Sequence, residues 1–379
     1  MTYSLAAYGQ MLADHVRMEA YHEALRRTVW PGCVVVDLGA GQGIMSFIAL
    51  QLGARLVHAI DPSPILELAR LIARDNGFAD RIQFHSQVST EVTLSERADV
   101  VVADLRGRLP AFDGNFRSMA DARKRLLKPM GTLIPQRDRL RLALAEAPDR
   151  YEEIIGRWTY PGLDLRAAHR SIVNDMTNQA VTASQLLTES AQWAVVDYLT
   201  IGAGALAGTA RLTANRTGVA HGLSLWFEAE LVDGVGFSTG PSHPKTICGH
   251  PFLPLIAPVP VRHGDVADIE LRADPVGDDY VWSWNTRVVS PDGTVGADFR
   301  QSTFFAAPLS AGLLRRRADT HRPRLGHQGT VDRAILDRFS GGRTLREIAA
   351  EIAEHFPDDF ADWQSAFERV ASLSAKYDE

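Results

Sequence analysis

Val34-Val35-Val36-Asp37-Leu38-Gly39-Ala40-Gly41-Gln42-Gly43 is the stretch on which the reading of this chain turns. Its β-branched run predicts a buried strand, and the apolar segment 44–54 (IMSFIALQLGA) after the glycines predicts a helix. Three glycines between strand and helix let backbone approach a ligand and leave a helix N-terminus open to it. Alone, the pattern fits a tight strand-to-helix turn equally well. Outward from it, 55–61 (RLVHAID) reads as a strand, 64–77 (PILELARLIARDNG) as a helix, and 81–85 (RIQFH) and 98–104 (ADVVVAD) as further strands. This alternation from Pro31 to about Pro135 predicts a parallel sheet with helical crossovers, a Rossmann-like α/β layout.

Asp61 ends the second predicted strand, 18 positions after Gly43, where a carboxylate can accept both hydroxyls of a ribose. The spacing D-x-G-x-G-x-G differs from the dinucleotide pattern G-x-G-x-x-G. It points to S-adenosylmethionine (SAM), with no pyrophosphate to cradle.

The chain has 379 residues, of which 45% are hydrophobic and 23% charged, an ordinary globular composition long enough for two or three domains. Its 40 Lys and Arg against 46 Asp and Glu give a net charge of −6, which argues against nucleic acid or an anionic membrane as partner. Two cysteines, Cys33 and Cys248, suit a reducing compartment. No signal-peptide order and no run of about 18 apolar residues is present, so a soluble cytoplasmic protein is expected. Residues 1–138 read as the cofactor-binding domain. Residues 139–308 are β-rich, with turn signals such as VDGVG and SPDG, and predict a barrel interrupted at about 148–176 by a charged helical insertion. Residues 309–328 read as a linker. Residues 329–379 return to helical periodicity, with Thr344 and Glu347 set as a capping box before the stripe Leu345, Ile348 and Ile352.

The segment Met11-Leu12-x-Asp14-x-x-Arg17-x-x-x-Tyr21, the stretch GARLVHAIDPSP and the barrel stretch WFEAELVDGVGFSTGPSHPKT together resemble the protein arginine methyltransferases. That resemblance spans most of the chain. It implies that Arg17 binds the methionine carboxylate of SAM, which suits a planar guanidinium; the other reading of Arg17 is a surface helix charge. It further implies that Asp37, Gly39, Gly41 and Gly43 cradle the cofactor and that Asp61 holds the ribose, with Pro62 and Ser89 as further candidate cofactor contacts. The family's N-terminal aromatic motif is shortened here, leaving Tyr3 and Tyr8 as candidate covers. The family's adenine-binding acid has no match near Val88 and Ser89, and Glu91 serves only if the loop shifts.

In the family, a hairpin after the fourth strand carries two glutamates that hold the substrate guanidinium. An ungapped match puts Asp104 and Asp113 at those positions, each carboxylate reaching about 1.5 Å less far. Asp104 is expected to hold and deprotonate the nucleophile, with Asp113 as the second carboxylate. Arg106 either partners a negative group on the substrate or pairs with the hairpin's aspartates; for Arg108 a structural role is expected. A protein arginine tail should then be a poor substrate. The family's Thr-His-Trp is replaced by Thr246-Ile247-Cys248, so its histidine's role is absent or moved to His243 or His250.

Residues 335–348, with the turn G-R-T-x-x-E-I, resemble the PqqD family of small winged-helix domains that bind leader segments of precursor peptides; a packing module that binds no peptide fits the pattern as well. The expected function is methylation of a nitrogen, less readily an oxygen, of a peptide or small amino-acid-like molecule, with no metal. A non-catalytic SAM- or peptide-binding protein on the same fold is the alternative. The insertion occupies the place of the family's dimerisation arm, so a homodimer is expected through Tyr151, Ile154, Ile155 and Trp158, unless that stripe packs on its own barrel.

Overall fold

A computed structural model describes residues 3–178, 180–277 and 279–378. The chain divides into two compact units, Met1–Pro308 and Leu309–Glu379.

The first unit opens with helices α1 (Leu5–Leu12) and α2 (His15–Thr28), the latter capped by the Asp14 carboxylate, which accepts from the Arg17 amide. Strands β1 (Val34–Leu38), β2 (Leu56–Ile60), β3 (Ile82–His85), β4 (Ala98–Ala103) and β5 (Leu127–Ile134) pair in the order β3-β2-β1-β4-β5. The recorded pairings are all parallel. Helices α3 (Ile44–Gln51), α4 (Leu66–Asp75) and α5 (Asn115–Arg125) make the crossovers. Every residue of β1 is buried, as a central parallel strand covered on both faces must be. Order reverses between β2 and β4 around β1, and in such sheets the crevice at the strands' C-terminal ends is where ligands bind.

β6 (Arg137–Ala145) leaves the parallel sheet and begins the antiparallel part. Next come α6 (Pro148–Ile155) and α7 (Arg166–Ile172). The strands β7 (Ala191–Asp197), β8 (Leu206–Thr213), β9 (Gly218–Val232), β10 (Val235–Ser238), β11 (Phe252–Val261), β12 (Val266–Val276), β13 (Asp279–Val289) and β14 (Val295–Ser302) follow. One sheet runs β10-β9-β6-β7 with β11 also on β9; the other runs β14-β13-β12-β8. Gln301 of β14 donates to the Pro254 carbonyl of β11 at 2.9 Å, tying the sheets into a barrel-like body. A large apolar core runs from α2 through the parallel sheet into both antiparallel sheets, beside a small cluster of Ala145, Ala147, Val181 and Phe252.

The second unit contains α8 (Ala311–Arg317), α9 (His327–Leu336), α10 (Leu345–His355) and α11 (Trp363–Tyr377). It has its own core, built on Val331, Ile335, Ile348, Ile352, Ala366 and Val370. The Thr344–Glu347 capping box forms as the sequence predicts. No strand occurs among its described residues, so the wing of a winged helix is absent from them. A short helix, α8, also stands where the sequence reads as linker.

Candidate active site

The glycine loop closes against β1 because all three glycines adopt left-handed backbone, with φ of 73° at Gly39, 54° at Gly41 and 86° at Gly43. A Cβ at Gly39 would run into Leu105, and one at Gly41 would meet the Tyr8 ring at 3.1 Å. Gly43 caps α3 without a side-chain hydrogen bond and is buried, with Phe47 and Ala69 close against it. Asp37 supports the loop from below. Its carboxylate is 2% exposed and accepts from the Ser46 amide (2.9 Å) and hydroxyl (2.7 Å) on α3. Burial, against the opposing Ser46 bonds, pushes Asp37 up to about 6, with Asp61 and Asp104 adding to the rise. It therefore contributes by shaping the loop.

Asp61 leaves the end of β2 and accepts from the Gly41 amide (2.9 Å) and from the Ser63 amide (2.8 Å) and hydroxyl (2.6 Å). Pro62 beside it is exposed. Tyr8 on α1 lies over Gly41, and its ionisation senses burial first, then Asp61 and Ser63. Tyr3 packs edge-on against Tyr8 with centroids 5.9 Å apart. Burial, then the charges of Asp113, Cys248 and Asp104, raise the Tyr3 phenol, which sets it beside both loop carboxylates. The aromatic cover expected at Tyr3 and Tyr8 thus bridges the glycine loop and the β4 loop. Ser89 is nearly buried, with its carbonyl taken by Arg125 Nη2 at 2.8 Å, while Glu91 is exposed.

Beyond β4, residues 104–114 form an irregular loop with no strand, where the sequence resemblance implied a hairpin. Asp113 sits exposed near its end with φ of 41°, a left-handed backbone that aspartate tolerates better than most residues. Asp104 is different. Arg17 Nη1 binds its Oδ2, and Arg106 Nη2 donates to Oδ1 at 3.2 Å. Burial would raise this carboxyl, but the Arg106 and Arg17 charges outweigh it and hold Asp104 below the usual carboxylate range. A group so held is a firm anion and a weak base, which corrects the expectation that Asp104 deprotonates the nucleophile.

For Arg106 the pairing reading is the one found, with Asp104 as its partner; its side chain is 1% exposed, so it has no face for a substrate. Nη1 donates to Asp138 at 2.9 Å, Nη2 reaches the Tyr21 hydroxyl, and the guanidinium lies 5.2 Å and 5.3 Å from the Phe227 and Phe237 ring centroids. Arg17 is buried as well. Besides Asp104, its Nη2 donates to the Met11 carbonyl, while Nε has no hydrogen-bond partner. Arg108 is exposed and reaches the Met176 carbonyl at 3.4 Å, in keeping with its structural reading.

The Thr246-Ile247-Cys248 segment holds α2 through main chain: the Ile247 amide donates to Asp14 Oδ2 at 2.8 Å. His250 is elsewhere, its Nε2 meeting the Val181 amide at 2.9 Å. Cys248 lies against the ion pairs, and its thiol is pushed up to about 12, by burial first and then by Asp104. Sequence reasoning missed Asp138, Tyr198 and Asn115. Asp138 had a signal: in RDRLRLALA it shares the inward period-two face with Leu140, Leu142 and Leu144.

Residues 15–135 match the family described as ribosomal protein L11 methyltransferase, and residues 139–287 match the arginine methyltransferase oligomerization subdomain. Among curated proteins, the chain is 32% identical over 233 residues to a probable protein arginine N-methyltransferase 6 of Arabidopsis thaliana, covering 59% of this chain and 53% of that protein. It is 27% identical to protein arginine N-methyltransferase 1 of Dictyostelium discoideum, over 68% of this chain and 78% of that protein. The chain thus spans about half the length of the first of these relatives. In structure it is similar to the Trypanosoma brucei PRMT1 enzyme-prozyme complex with AdoHcy (TM-score 0.72, 24% identity, 78% of this chain and 96% of that one). It is also similar to Arabidopsis thaliana protein arginine methyltransferase 10 (TM-score 0.70, 20% identity, 79% and 97%). At these identities the two structures speak for the fold. In sequence pattern and in fold the chain is thus similar to protein arginine methyltransferases.

Proposed function

We propose that the chain methylates a nitrogen, less readily an oxygen, of a peptide or small amino-acid-like substrate. The observation that carries this is the meeting, at the C-terminal ends of β1, β2 and β4, of a left-handed glycine loop, a ribose-competent Asp61 and an aromatic cover. The residues fit the cofactor. At Gly39 and Gly41 a Cβ would collide with Leu105 and Tyr8, so the loop takes this shape only with glycine there, and Arg17 Nε has no hydrogen-bond partner, with Asp14 Oδ2 3.7 Å away. When bound, SAM would supply an electrophilic methyl group for the acceptor lone pair, its carbon–sulfur electrons staying with sulfur. Asp61 would hold the ribose and Arg17 the methionine carboxylate, and Tyr8 and Tyr3 would exclude water. Asp113, exposed at the loop, is the carboxylate open to receive the proton the acceptor nitrogen gives up.

A second reading, SAM or peptide binding without chemistry, is favoured by one observation: both Asp104 oxygens are already engaged. Mass spectrometry separates the two. Incubation with SAM and peptides encoded beside the gene should give products heavier by one methyl, whereas binding without any mass gain would sustain the second reading.

The remaining proposals concern partners. In the insertion, Tyr151 donates to the Ile256 carbonyl and Ile154 packs against a small core with Phe252, so half of the expected stripe covers its own barrel. Trp158, Tyr160 and Leu163 are exposed, and a homodimer would use these. The helical second unit is proposed to bind a leader peptide. No helix among the described residues is long and apolar enough to cross a membrane, and a cytoplasmic location is proposed.

A further inference from the structure

Two guanidinium groups of the chain itself occupy the carboxylate that ends β4. Arg17 lies on Asp104 Oδ2 and Arg106 on Oδ1. Arg106 does not reach Asp104 from solvent. It is enclosed by Tyr21, Phe227 and Phe237, and its own counter-ion is Asp138, whose side chain is fully buried. The second Asp138 oxygen accepts from the Tyr198 hydroxyl at 2.7 Å, and Asn115 Nδ2 stands 3.4 Å from that hydroxyl. Asp138 comes from β6, Tyr21 from α2, Phe227 from β9 and Phe237 from β10, so four elements hold one guanidinium in place. An arginine buried without Asp138 would be strongly unfavourable; with it, the cation is permanent.

The consequence follows from charge and valence. Asp104 is the partly exposed member of the cluster, at 19% side-chain exposure, beside Leu105, which touches the glycine loop. A guanidinium arriving there would meet a carboxylate with both oxygens engaged and two like charges within a few ångströms. An uncharged amine, amide or hydroxyl would meet no such repulsion. We infer that Arg106, fixed by Asp138, is a resident guanidinium that fills the acceptor carboxylate and restricts the enzyme to acceptors carrying no guanidinium. This names the substrate class for the site and rests on the methyltransferase reading; Arg106 and Asp138 act through Asp104 as positioning residues.

The test is calorimetric binding of an arginine–glycine peptide in the presence of S-adenosylhomocysteine, with the matched citrulline–glycine peptide as neutral control. The native protein should show no saturable binding of the arginine peptide. R106M/D138N removes one charge of each sign and keeps a polar partner for Tyr198; it should bind the arginine peptide at least tenfold more tightly than the native chain does. R106K keeps the charge while losing the fork geometry, and it should still exclude the peptide, which a merely structural role for Arg106 would not produce. Saturable binding or methylation of the arginine peptide by the native protein overturns the inference, whatever the variants' stability. So does a folded R106M/D138N that gains nothing. Failure of the methyltransferase reading would appear separately, as native protein that transfers a methyl to no acceptor, neutral ones included, while the binding comparison keeps its meaning.

Discussion

Asp61 and Asp37 are both carboxylates at strand ends, and their surroundings give them opposite tasks. Asp61 is partly open and its two oxygens face backbone and hydroxyl donors, a set that ribose hydroxyls can join. Asp61→Ala should cost about 2–3 kcal/mol in SAM binding, roughly 30- to 150-fold in affinity, which calorimetry would read directly. Asp37 is closed in, with its carboxyl pushed up to about 6 from 3.8. An acid whose folded value is raised contributes stability that is complete below the unfolded value and is lost as pH rises through the folded one. Stability should therefore fall by roughly 2 kcal/mol between pH 4 and pH 7 through this group. Asp37→Asn should flatten that slope in denaturant titrations at several pH values; an unchanged slope would assign it to other groups. Asp104→Asn leaves two buried guanidinium groups short of charge. A loss of about 3–5 kcal/mol should accompany any loss of turnover, so its thermal midpoint must be measured beside its rate.

At the scale of elements, α2 is held at its N-terminus by one side chain with two jobs. Asp14 caps the helix and accepts the Ile247 amide. Asp14→Ala should cost about 2–3 kcal/mol, a lost cap plus an unsatisfied amide. Ile247→Ala, at an exposed side chain, should change stability by roughly half a kcal/mol or less. Equal effects of the two would show that the main-chain link is not what holds the helix. This link was illegible in the sequence because a backbone donor leaves no residue-type signature. The parallel strands and the glycine turn were legible, since burial on both faces and left-handed backbone each demand particular residue types. The loop 104–114 was legible only in composition. Two aspartates and two arginines were visible there, but which of them pair depended on Asp138 and Tyr198, far along the chain. The insertion divides similarly: helical spacing located α6, yet the helix ends at Ile155 and leaves Trp158 outside it.

For the whole molecule, the exposed Trp158, Tyr160 and Leu163 make self-association measurable. The native chain should scatter light as a dimer at micromolar concentration, and Trp158→Asp with Tyr160→Asp should shift it to a monomer. A native monomer would remove the arm's proposed role. The Arg106–Asp138 pair has a further consequence for how such proteins can be recombined. Its cation belongs to the cofactor half and its anion to the first strand of the barrel, so the seam between the halves runs through an ion pair. A chimera that joins this cofactor half to a barrel lacking the aspartate would enclose an uncompensated positive charge, and the converse chimera a negative one. Exchange of the halves among relatives is therefore restricted to matched partners, and the two positions should be inherited, lost or engineered together.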